Sequence, residues 1–296
     1  MNKEHGAPGN RRLAVKRRLP LLATAGPSAL WLLIFVVLPM LYVVAISFMT
    51  RNNYGGIVPI FTLNNYRELF DPLYVKVIWE SLKLAFYTTV LCLLVGYPFA
   101  YYIASLPSKR AAKLVMLIMI PFWTNTMVRL YSWQLLAQPK SILNDLLMGL
   151  GILSEPLDLL YTNGLVVLGL FSSMLPFAVL PLYSAIEKLD RSLLEASNDL
   201  GGKPYVTFLR VTLPLTMPGV FSAVIMVFIP ALGMYTVPEV LGGGKVMLIG
   251  NLIRNQFLVT RNWPFGAAIA IILILLTLLM IFLYSRIANL DEMEVF

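Results

Sequence analysis

The chain has 296 residues, of which 58% are hydrophobic and 13% charged, about half the charged share of an ordinary soluble domain. With a mean hydropathy of +0.77, this composition excludes a soluble globular protein. A single cysteine, Cys92, excludes a disulfide framework, and a single histidine, His5, excludes most histidine-based metal and acid–base sites. The net charge of +8 is distributed between apolar runs, which points to membrane topology and away from nucleic acid.

A helix needs roughly 20 mainly apolar residues to cross the hydrocarbon core. Six segments qualify. A basic cytoplasmic tail over 1–26 precedes the first, at 27–48. That run is too long for the apolar region of a signal peptide and lacks a small-residue cleavage site, so it is read as a retained helix. The second span, 84–106, is uncharged. The third, 114–137, is read as one continuous helix carrying a lone charge, Arg129. The fourth is 164–186. The fifth, 211–238, is expected to begin in earnest at Pro218 and Gly219. The sixth, 263–285, leads into a short tail at 286–296. A single membrane domain thus covers 27–285. Outer segments 64–70, 142–150 and 246–257 hold aromatics and short apolar runs suited to interfacial helices.

Six spans put both termini on one side. Fourteen of the 23 Lys and Arg residues fall there, including Lys109, Arg110 and Lys113 in the short loop 107–113. The positive-inside rule places that side, and both termini, in the cytoplasm.

None of the six segments contains Asp, Glu or His. A proton- or sodium-coupled carrier, or a membrane enzyme, needs such groups within the bilayer, so no catalytic or metal residue is assigned. The nearest approach to a nucleotide loop, Gly242-Gly243-Gly244-Lys245-Val246, lacks the hydroxyl after Lys and faces outward. Arg129 would lie roughly 22 Å from the cytoplasmic edge in a straight helix. From there it either snorkels to the outer headgroups or lines a pathway.

The cytoplasmic loop 187–216 is the longest on its side and the one able to make a docking surface. A first helix from about Asp190 to Leu200 would gather Leu193, Leu194, Ala196 and Leu200 on one side, and Gly201 and Gly202 would stop it with a left-handed C-cap. A second helix starts at Pro204, with Pro214 and Pro218 expected to end it. This arrangement resembles the coupling motif of ABC-importer permeases. That pattern runs Glu-Ala-Ala, three residues, Gly, then about nine residues to an apolar residue shortly before Pro. Glu195, Ala196, Gly201, Val211 and Pro214 match it; Ser197 stands where the second Ala is usual. Pro121-Phe122-Trp123-Thr124-Asn125 with Val128 to Tyr131, Leu175-Pro176-Phe177, and Asn262-Trp263-Pro264-Phe265-Gly266 look like segments of the spermidine/putrescine permeases.

The resemblance implies an all-α, six-span fold of the type I ABC-importer kind. It implies a second, related permease, two ATPase subunits that hold the ATP and Mg, and an extracytoplasmic binding protein. The chain itself, set in membrane lipid, would carry no cofactor. A polyamine pathway needs aromatic faces and a few oxygens. Trp123, Asn125 and Tyr131 on span three, and Tyr235 and Glu239 on span five, fit that requirement. An ABC permease for another small solute, including an anion attracted by Arg129, is the alternative, and an ATP-independent carrier is a further one. Pro98, Pro121, Pro176, Pro181, Pro230 and Pro238 are candidate bending points.

Overall fold

The computed structural model describes residues 26–52 and 54–293. The basic tail read at 1–26 lies outside the described residues apart from Gly26. Among the described residues, five helices are long and apolar enough to cross a membrane, or six with one bent pair taken as a single span. The first, α1 (Gly26–Ser47), turns π-helical at Leu33–Val37, and only 6% of its most apolar window is buried by the rest of the chain. A two-strand hairpin, β1 (Thr50–Arg51) with β2 (Ile57–Val58), and the short α2 (Asn64–Glu68) follow.

Helix α3 (Pro72–Ser105) starts well before the apolar run at 84. Asp71 accepts a hydrogen bond from the Leu73 amide at 2.9 Å and Pro72 occupies the first helical position. The added turns are polar enough to leave the bilayer: Lys83 pairs with Glu80 at 2.7 Å.

The expected third span is not continuous. It is α4 (Ser108–Trp123) and α5 (Thr126–Leu136), which meet at 85° across Thr124 and Asn125. Thr124 is extended, and its amide and hydroxyl both reach back to the Pro121 carbonyl. The Asn125 side chain caps α5 by accepting from the Met127 amide at 2.8 Å. An N-cap inside an apolar window therefore turns the chain, and depth counted along a straight helix does not apply to Arg129.

After α6 (Ile142–Gly149), the fourth span is α7 (Asn163–Glu187) and the first loop helix is α8 (Arg191–Asp199). The fifth crossing, α9, runs unbroken from Pro204 to Gly233, with a π-helical stretch at Phe208–Thr212. Neither Pro214 nor Pro218 ends or begins a helix: both lie inside α9. Each removes one backbone hydrogen bond, a loss that a packed membrane helix tolerates. What ends α9 is the extended Met234, whose amide bonds the Pro230 carbonyl at 2.9 Å. The short α10 (Thr236–Gly242), α11 (Ile249–Leu258) and α12 (Trp263–Met293) complete the chain. Of the candidate bending points, Pro121, Pro230 and Pro238 lie within four residues of a break; Pro98, Pro176 and Pro181 lie inside helices. Pro238 sits in α10.

Helices α3, α7 and α9 form the centre. Cys92 and Ala100 of α3, Val179 and Leu182 of α7, and Ala223 and Val227 of α9 are fully buried together. A Cβ at Gly219 of α9 would collide with the Ala185 side chain of α7, so the glycine permits close helix contact. The Tyr97 hydroxyl of α3 meets Thr216 Oγ1 of α9 at 2.7 Å, with both residues buried.

Candidate functional site

Two sites sit at opposite ends of α9. At its start is the hairpin of the loop 187–216. Asp190 caps α8 by accepting from the Ser192 amide at 2.9 Å, a bond that holds its carboxyl below the usual carboxylate range. Gly201 adopts φ +77°, the left-handed stop that the sequence leads one to expect, and its amide donates to Asn198 at 2.9 Å. Gly202 is held differently. Its amide donates to the Ser197 carbonyl, and a Cβ there would lie 2.7 Å from that oxygen. The Ser197 and Thr207 hydroxyls meet at 2.8 Å and join α8 to the start of α9.

Glu195 and Ala196 are exposed on α8. Val211 is half-buried and Pro214 exposed, both on α9. The motif residues thus divide between two helices. The leucine side of α8 is partly open: Leu200 is 90% exposed and Leu193 also faces out, while Leu194 and Glu195 line a cleft of about 520 Å³ with Tyr101, Pro107 and Glu187.

At the other end of α9, α5, α10 and α11 enclose an open cleft of about 440 Å³. It brings together Tyr131, Tyr235 and Glu239, which sequence reasoning singled out, with Tyr161 and Arg254, which it did not. Glu239 follows Tyr235 by one helical turn, its amide bonding the Tyr235 carbonyl at 3.1 Å. The carboxylate is paired with Arg254 of α11: Nη1 to Oε1 is 2.8 Å, and the guanidinium carbon stands 5.6 Å from the Tyr235 ring centre. Tyr161 reaches the cleft with φ +59°, and Lys245 stands over its ring at 5.9 Å rather than beside Glu239. An arginine within the otherwise amphipathic segment 246–257 was the available signal for Arg254.

Trp123 and Asn125 are not in this cleft. Trp123 is 87% exposed at the end of α4, and Asn125 serves as the α5 cap. Arg129 does not line it either. Its Nη1 donates to the Pro121 carbonyl at 3.0 Å, and its Nε is buried without a partner.

The model of the binding-protein-dependent transport system inner membrane component family matches residues 96–289. The chain belongs to this family of transport permeases. The permease is 47% identical over 256 residues to the spermidine/putrescine transport system permease protein PotB of Haemophilus influenzae, covering 86% of this chain and 90% of that one. It is 45% identical over 265 residues to the protein of the same name from Escherichia coli K12, covering 90% and 96%. A crystal structure of a bacterial ABC transporter that imports the acidic polysaccharide alginate contains a chain of the same fold. The TM-score is 0.75 at 18% identity, over 95% of this permease and 98% of that chain. The architecture is therefore that of a type I ABC-importer permease, a multi-pass inner-membrane transport subunit.

Proposed function

We propose that this permease translocates polyamines of the spermidine/putrescine class into the cytoplasm. It works as one of two paired permeases, with ATP hydrolysis in two partner ATPases and delivery by an extracytoplasmic binding protein. The observation that carries this reading is identity of 45–47% over most of the chain to permeases of that name. The outer cleft supports it chemically. Tyr131 and Tyr235 offer ring faces to methylenes and ammoniums, and Glu239 offers a carboxylate. Trp123 and Asn125, at the break between α4 and α5, contribute at the face of the partner permease.

Residues 27–285 act as one transport domain with both termini in the cytoplasm. The hairpin of Glu195, Ala196 and Gly201, with Val211 and Pro214 on the adjoining helix, docks the ATPase. The open Leu193 and Leu200 supply apolar contact, and Glu195 supplies charge. The permease holds no nucleotide itself.

The test is uptake of labelled putrescine, spermidine, amino acids and sulfate by the complex reconstituted in proteoliposomes. Accumulation of a polyamine that requires both ATP inside and binding protein outside is expected. Uptake of sulfate or an amino acid in its place overturns the substrate assignment. ATP hydrolysis by the purified permease alone overturns the division of labour.

A further inference from the structure

The outer cleft already contains a cation, and it belongs to the protein. Arg254 Nη1 lies 2.8 Å from Glu239 Oε1, and the same guanidinium stands over the Tyr235 ring. A carboxylate at one side and an aromatic face at the other is the contact set that an organic ammonium takes in a protein site. Glu239 and Arg254 come from different helices, α10 and α11, so the pair can part without either helix unwinding. Asn251 Nδ2 donates to the Tyr235 carbonyl at 2.9 Å and keeps the two helices docked while the side chains move. Both charged side chains remain partly exposed, at 34% and 41%. An ion pair that water reaches contributes little net free energy, so it exchanges readily.

We infer that Arg254 is a tethered stand-in for the cationic end of the substrate. An arriving ammonium displaces the guanidinium from Glu239 and Tyr235, and Arg254 returns when the substrate moves on. The cleft carboxylate is then neutralised at both stages, and the substrate competes for its site with a group that is always present. This rests on the polyamine reading, since the displacing group is an organic ammonium. It adds a residue that sets affinity from outside the substrate's own contacts. A rigid acidic pocket would bind the same amine more tightly and release it more slowly.

The experiment is equilibrium binding of labelled spermidine to the purified complex without binding protein, run beside uptake with it. Arg254→Gln leaves Glu239 and Tyr235 free, and is expected to lower the apparent Kd about three- to fivefold, the scale of one exposed ion pair plus a cation–π contact. Arg254→Lys, which keeps charge but loses the planar fork, is expected to lower it about twofold. The double variant Arg254→Gln with Glu239→Gln should bind more weakly than Arg254→Gln alone. An unchanged or raised Kd in Arg254→Gln, with wild-type polyamine uptake intact, overturns the stand-in role and leaves the transport reading in place. Wild-type complex that takes up no polyamine overturns both. Should Arg254→Gln fail to assemble, the Arg254→Lys value decides, and no decrease there overturns the inference.

Discussion

Arg129 donates to the carbonyl of Pro121 at 3.0 Å, across a break where two helices meet at 85°. The residue that looks in sequence like a stray charge in a membrane span closes the end of the preceding helix. Its guanidinium adds a donor from α5 to a carbonyl that already accepts from the Thr124 amide and hydroxyl.

Arg129→Leu should loosen this corner. Leu117 of α4 and Leu135 of α5 are exposed, so spin labels there report the angle between the arms. The distance distribution is expected to broaden in Arg129→Leu and to stay narrow in Arg129→Lys, which retains a donor. A distribution identical to wild type in the leucine variant would show that Thr124 and Asn125 hold the bend unaided.

The two adjacent glycines of the hairpin should respond in different ways. Gly201 matches the coupling motif and needs φ +77°, but no atom lies within 4 Å of a Cβ built there. Gly201→Ala should cost about 1 kcal/mol of backbone strain. Gly202→Ala drives a methyl against the Ser197 carbonyl and toward the Ser197–Thr207 hydroxyl contact. About 1–3 kcal/mol is expected there. ATPase association with the purified permease should fall more for Gly202→Ala than for Gly201→Ala; the reverse order would place the hairpin's rigidity in the turn alone.

Within the bundle, Tyr97 and Thr216 are unequal partners. Thr216 Oγ1 also donates to the Thr212 carbonyl at 2.8 Å, so Tyr97→Phe leaves it satisfied. That change should cost about 0.5–1 kcal/mol. Thr216→Val strands the buried Tyr97 hydroxyl and should cost about 1–3 kcal/mol. Thermal unfolding in detergent should rank them in that order, and a larger loss for Tyr97→Phe would contradict the geometry.

Asp190 gives the hairpin a pH dependence of known sign. Its carboxyl is held below the ordinary 3.8 by the Ser192 amide, so the charged form is favoured when folded. The cap is therefore at full strength above the ordinary carboxylate range and is lost as pH falls through the depressed value. Amide exchange at Ser192 to Leu194 should accelerate below about pH 4 in wild type, relative to intrinsic rates. Asp190→Asn, which still caps, should show a flat profile.

The crossings were legible because the bilayer fixes their length and because few charges fall within them. The hairpin was legible because Asp190, Gly201 and Pro204 each act locally. The break at Thr124–Asn125 and the continuity of α9 were not. An apolar average over 114–137 hides Asn125, whose capping oxygen outweighs its neighbours' helical preference. Pro214 and Pro218 read as terminators under rules drawn from water, whereas the buried faces of α7 and α3 hold α9 together through them. The pairing of Glu239 with Arg254 lay beyond local reasoning. The chain reverses between them through Gly243 and Gly244, both at positive φ, and no sequence period connects the two.

Helix α9 spans 30 residues, about 45 Å of continuous backbone. It starts at the hairpin and stops one residue short of Tyr235. Whatever grips the hairpin end and whatever fills the cleft of Tyr235 and Glu239 thus act on a common body. Linkage then makes their influence mutual: the factor by which an occupied cleft alters binding at the hairpin is the factor by which that binding alters occupancy. One coupling constant, measured from whichever end is easier to titrate, describes both.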